Sequence, residues 1–132
     1  MPTQTNIVVN LRVPGIHRWE NCPLTEVAFL RDYHRHVFHI RAEKLVQHND
    51  RDVEIIMFKL EILDFMRRNY SHESNSILIK NSADDALFFD YRSCEHIAHE
   101  LLEKFDLAVC EVLEDGENGA IVNKMVESIT SA

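Results

Sequence analysis

Glycine and proline are scarce in this chain, 3 of each in 132 residues, and no apolar run approaches the roughly 18 residues that a membrane span requires. The first shortage excludes collagen-like or linker-type composition and removes any Gly-rich phosphate-cradling fingerprint, because Gly15, Gly116 and Gly119 stand too far apart to form one. The second excludes a helical membrane protein. Cys22, Cys94 and Cys110 are an odd number with no C-x-x-C pair, which points away from both a disulfide scaffold and a thiolate zinc knuckle. Positive charge is also short, with 14 Lys and Arg against 22 Asp and Glu and a formal charge of -8, so a nucleic-acid backbone is not the expected partner. The opening Met1-Pro2-Thr3-Gln4 lacks the basic-then-apolar layout of a signal peptide, and a cytoplasmic protein is expected.

What is present is histidine, 8 in all, and three of them are placed suggestively. His34 and His36 flank Arg35 at the start of a run that reads as a strand, and alternate strand residues share a face, so both imidazoles can reach one ion. His17 would arrive from the preceding strand and complete a three-nitrogen set with an open fourth position, the arrangement of a catalytic zinc site. Taken alone, an H-x-H pair on a strand also arises by chance. His39 has the opposite parity and belongs to the other face of the sheet. A nucleophilic pairing of Cys94 with His96 or His99 is discounted, because residues two or five apart on a helix do not face each other.

The order of elements follows from pattern. Asn6 to Val13 reads as a first strand ending at Pro14-Gly15, and Val37 to Val46 as a second, separated by a long loop between His17 and His34. The cluster Asn49-Asp50-Arg51-Asp52 is expected to open a helix running to about Asn69. In it Val53, Ile56, Met57, Leu60 and Leu63 form the main apolar stripe, while Ile55, Phe58, Ile62 and Phe65 form a second face suited to another subunit. Tyr70 to Tyr91 reads as irregular apart from Ile77-Leu78-Ile79. Ser93 caps a second helix with a stripe of Ile97, Ala98, Leu101, Leu102 and Phe105. Strands over Leu107 to Leu113 and Ala120 to Val126 close the chain around a turn at Asp115 to Gly119. The sum is a single α+β domain of ββ-αα-ββ order with an antiparallel sheet, spanning residues 1–132.

Five segments carry a resemblance that spacing does not supply. Gly15-Ile16-His17-Arg18-Trp19, His34-Arg35-His36-Val37-Phe38, Ile55-Ile56-Met57-Phe58, Ser93-Cys94-Glu95-His96-Ile97-Ala98 and Val112-Leu113-Glu114-Asp115 with Gly119-Ala120 occur in order and with compatible gaps. The chain thereby resembles the 6-pyruvoyltetrahydropterin synthases and the 6-carboxytetrahydropterin synthases of queuosine biosynthesis. Their patterns at these places are A-A-H, H-G-H, I-D-F, P-T-S-E-N-I-A and V-x-E-T. The resemblance implies the tunnelling fold (T-fold), with two helices on one face of the sheet and subunits assembled into a barrel, commonly a hexamer. It implies Zn2+ held by His17, His34 and His36, a lyase acting on dihydroneopterin triphosphate or a related reduced pterin, Glu114 as the residue that grips the pterin ring, and His72 as proton relay. A carboxylate suits the ring role because its two oxygens accept from the N–H and amino groups of a 2-amino-4-oxo pyrimidine edge. Without the resemblance, Glu114 reads as a solvated acid beside a turn and His72 as a loop residue.

Departures from the pattern qualify the chemistry. The position of the family's reactive cysteine is Leu30, and Cys22 in the same loop is the thiol that could replace it, although it reads more readily as a small buried or incidental thiol. Ser71 stands where the family's relay aspartate is expected, with Glu73 following. Two function classes therefore stay open: a zinc-dependent lyase, and a pterin- or purine-binding protein that keeps the pocket without turnover.

Overall fold

The computed structural model describes residues 2–71 and 86–125. Five strands form one sheet: β1 Thr5–His17, β2 His34–Val46, β3 Leu87–Asp90, β4 Val109–Glu114 and β5 Asn118–Asn123. Two α-helices, α1 Ile55–Asn69 and α2 Cys94–Phe105, and a short 3-10 segment over Thr25–Arg31 complete the described elements. The spatial order of strands is β3-β1-β2-β4-β5. The α+β class is as expected, but the sheet is mixed rather than antiparallel. β3 lies in the stretch read as irregular and runs parallel to β1, pairing Gly15 with Leu87 and Ile16 with Phe88. Four residues are too few to show a period, so only the partner strand makes Leu87–Asp90 a strand.

β1 and β2 are longer than expected, because their pairing continues through Pro14 and Gly15 to the opposition of His17 and His34. Gly15 is required there: a Cβ at this position would overlap the rings of Phe89 and Phe38. Strand alternation then builds one apolar face. Val9 opposes Ala42, Leu11 opposes Ile40 and Val13 opposes Phe38, while β4 adds Cys110 beside Ala42 and Val112 beside Ile40. All eight are buried, in one cluster with Phe58, Ile62 and Met66 of α1 and Ile97, Ala98, Leu101 and Leu102 of α2. Both helices therefore cover the same face.

The α2 stripe is the expected one, with Ser93 accepting from the His96 N–H at its start. In α1 the expected faces are exchanged in part: Val53 and Leu63 of the expected inner stripe do pack against the core, but its other members do not. Phe58, Ile62 and Met66 are at most 4% exposed and face the sheet, whereas Ile56, Met57 and Leu60 are 65%, 58% and 52% exposed. Both sets recur at helical spacing, so periodicity alone cannot say which looks inward. The helix also begins later than expected, at Ile55, where Glu54 accepts from the N–H groups of Ile56 and Met57. The last two strands are shorter than expected and shifted, and the turn between them carries Asp115 and Gly116 in the left-handed conformation, φ 55° and 73°.

Candidate metal centre

The apolar face of the sheet turns polar at one end. Past the Val13–Phe38 pair the same face continues with Gly15 opposite His36 and His17 opposite His34, and β4 places Glu114 opposite Phe38. Strand parity thus delivers His17, His34 and His36 to one spot, as the sequence predicted. Their ring centroids lie 4.6, 5.0 and 5.5 Å apart, and one ring nitrogen from each falls in a group whose members all lie within 4.8 Å of one another.

Each imidazole is oriented from behind. His17 donates from Nδ1 to the Arg92 carbonyl at 2.7 Å, His34 from Nδ1 to the Asp32 carbonyl at 2.9 Å, and His36 from Nδ1 to the Asp115 carboxylate at 2.7 Å. A proton on Nδ1 leaves the Nε2 lone pair free. The Nε2 atoms of His17 and His34 are buried and have no hydrogen-bond partner. Glu114 Oε2 comes within 3.1 Å of His17 Nε2 with no hydrogen bond between them, and Oε1 lies 3.6 Å from His36 Nε2, so carboxylate oxygens and ring lone pairs face one another, an opposition that a bound cation would relieve. Buried acceptors left unmatched are costly, and three imidazoles fixed through their far nitrogens are what a metal ion requires. The donor set therefore fits an ion, and His17, His34 and His36 could hold one.

At His34 the electrostatics favour the neutral ring. Burial, reinforced by His17 and His36, lowers the pKa of His34 against the opposing Asp32 carbonyl. The carboxyl of Glu114 is held below its ordinary range by His17 and then by the other two histidines, against the effect of its own burial. Asp115 is likewise lowered, first by the Val37 N–H and then by His36.

Beside the histidines opens a cavity of about 500 Å³ whose wall includes Trp19, Leu30, Tyr91, Cys94 and Glu114. Trp19 and Tyr91 are 47% and 61% exposed and supply large aromatic surface at this site. The loop between β1 and β2 shapes the wall: the Trp19 N–H donates to the Leu30 carbonyl at 2.7 Å, and the Arg18 N–H to the Asp90 carbonyl at 2.8 Å.

Among the other expected site residues, Glu114 stands at the junction of cavity and histidines. Cys22 does not line this cavity; it is 2% exposed, with its thiol toward the carbonyls of Leu24 and Val27, because the 3-10 segment folds over it. The thiol that does line the cavity is Cys94, whose pKa is pushed up to about 12 by burial and by the negative charge of Glu114. His72, Ser71's neighbour, lies outside the described residues, as does Glu73. His39 faces away from the three histidines, as parity requires, and packs near Gly116.

Sequence reasoning missed the oxygen atoms behind the histidines. Two are backbone carbonyls, which no residue type announces. The third, Asp115, was visible only as part of a turn and as the end of the last resembling segment. Arg92 is itself anchored, donating from Nε to Glu100 at 2.9 Å while Glu100 accepts from the Tyr70 hydroxyl at 2.8 Å, so a side-chain network steadies the carbonyl that orients His17. Comparison with protein-family models and with characterised protein sequences gives no match to this chain.

Proposed function

We propose that the protein is a zinc-dependent, cytoplasmic lyase of the 6-pyruvoyl- or 6-carboxytetrahydropterin synthase type, acting on dihydroneopterin triphosphate or a related reduced pterin. One observation carries the reading: three imidazoles, each tied by Nδ1 to an oxygen, turn their remaining nitrogens toward one spot beside an aromatic-walled cavity. Imidazole donors suit zinc, and zinc held there would supply a Lewis acid toward oxygens of a substrate side chain. No helix among the described residues is long and apolar enough to cross a membrane.

The chain's own residues divide the remaining work. Trp19 and Tyr91 offer apolar faces to a planar ring. Glu114, kept ionised by the histidines, offers two acceptor oxygens for the ring's N–H and amino groups once it turns from His17 and His36 into the cavity. His72 would move the proton, since an unperturbed imidazole titrates near neutral pH. The subunits would join as a T-fold barrel, a homo-oligomer on the scale of a hexamer, using the exposed Ile56, Met57 and Leu60 or the outer side of β5, an edge strand among the described residues.

A second reading has its own support. Leu30 lines the cavity where the resembled family carries its reactive cysteine, Cys22 is buried elsewhere, and the Cys94 thiol is held protonated. A protein that binds a pterin or purine without turnover fits those facts. Metal analysis of the purified protein, with mass-spectrometric assay of dihydroneopterin triphosphate conversion, separates the two: about one zinc per chain with conversion supports the lyase, pterin binding without conversion supports the binder, and absence of metal ends the lyase mechanism. A monomer by light scattering at micromolar concentration contradicts the assembly.

A further inference from the structure

The three orienting oxygens are not equivalent. His17 and His34 donate to neutral backbone carbonyls, whereas His36 donates to a carboxylate. Asp115 is fixed in turn: its Oδ1 accepts from the Val37 N–H at 2.9 Å, and its own N–H donates to the Val37 carbonyl at 2.8 Å. The left-handed backbone at Asp115, φ 55°, reverses the chain immediately after Glu114. Two successive carboxylates thereby reach different nitrogens of one ring, Asp115 at Nδ1 and Glu114 near Nε2 of His36. His36 is also less enclosed than His17, with side-chain exposures of 22% and 9%, so its orientation depends more on this tie.

We propose that Asp115 is a positioning residue of the metal centre, fixing the tautomer and direction of His36 and making that imidazole the most strongly donating of the three ligands. The inference rests on the reading of the histidines as a metal site and not on the identity of the substrate. A carboxylate behind a ligating histidine increases the ring's electron donation, and loss of such a partner costs typically about 10 to 100-fold in metal affinity. Asp115 is suited to the task because both groups that address its oxygens are donors. Asparagine in its place keeps one acceptor oxygen and turns an amide NH2 toward the other donor.

The test is zinc affinity of the full chain, measured by competition with a chelator for the parent, Asp115→Asn and Asp115→Gly. Asn and Gly both tolerate the left-handed backbone, so the turn is kept while the carboxylate is removed. We expect both variants to bind zinc about 10 to 100-fold more weakly. In the metal-free parent, nitrogen-resolved NMR should show a downfield His36 Nδ1–H that shifts in Asp115→Asn while those of His17 and His34 stay. Both variants binding zinc like the parent, or an unmoved His36 resonance, would overturn the proposal and leave the metal site standing. A folded parent that binds no zinc would overturn both.

Discussion

The two faces of the sheet are made by the same strands, yet they behave as different surfaces. On the covered face, Val9, Leu11, Val13, Phe38, Ile40, Ala42, Cys110 and Val112 are buried beneath α1 and α2, and the row ends in His17, His34, His36 and Glu114. On the other face, Val8, Asn10, Arg12, His39, Arg41, Glu111 and Ile121 alternate apolar with charged side chains, Val8 and Ile121 are 43% and 50% exposed, and Arg41 bridges Glu43 and Glu111. Neither α1 nor α2 packs on this second face. Histidine occurs on both, so residue type does not make the site. What differs is what stands behind each ring: the row of three histidines continues a packed apolar layer, and fixed oxygens accept hydrogen bonds from their Nδ1–H groups.

Five measurements bear on this contrast, in descending order of expected effect. Phe58→Asp on the covered side of α1 should cost about 3 to 5 kcal/mol or prevent folding, read as a lost or early urea transition, because it empties a core position and buries a carboxylate. The same substitution at Lys59, an exposed neighbour on the same helix, should leave the urea midpoint close to that of the parent. If the two behaved alike, the assignment of the helix faces would be wrong.

His34→Ala or His36→Ala should lower zinc affinity by more than about 100-fold, since losing a ligand exceeds losing its outer partner. Equal zinc content in parent and variant would remove the centre. Acid should act on the same face. The folded pKa of His34 lies below its ordinary 6.5, so its contribution is fully present above about pH 6.5 and is lost as pH falls toward the folded value. Glu114, lowered from 4.5, contributes above that value and loses its contribution at lower pH still. Urea midpoints of metal-free protein should therefore fall from pH 7.5 to pH 5, and His34→Gln should flatten that slope. A midpoint that rises on acidification contradicts the signs.

Thiol reactivity probes the covered face from within. Cys110 and Cys94 are buried with pKa values pushed up to about 12, so at pH 8 both remain protonated and shielded. Native protein should react with a chromogenic disulfide at least about tenfold more slowly than the same protein in guanidinium. Burst-phase labelling of Cys110 would show that the helices do not seal the sheet. The smallest effect is expected on the other face: His39→Ala should keep zinc affinity unchanged and alter stability by less than about 1 kcal/mol, since the ring is half-buried against the Gly116 turn but lies outside the core.

Much of the site was legible before any coordinates. Period-two parity placed His34 and His36 together and His39 apart, because side-chain direction along a strand is a local property. Ser93 and the α2 stripe were legible for the same reason, a cap and a single unambiguous apolar row. α1 was misread because it carries two such rows and only the sheet selects between them. Cys22 was a reasonable thiol by proximity in sequence, but the 3-10 segment encloses it and leaves Cys94 on the cavity wall.

The amino-acid sequence by itself determined the class of fold, the two helices and the strand parity that gathers three histidines, since these follow from periodicity, capping and turn chemistry within a few residues. Tertiary structure alone decided the parallel β3, the inward face of α1, the cavity and the three oxygens behind the imidazoles. Those depend on residues far apart in the chain, up to 79 positions between His36 and Asp115, and on backbone carbonyls that every residue carries and only the fold can aim.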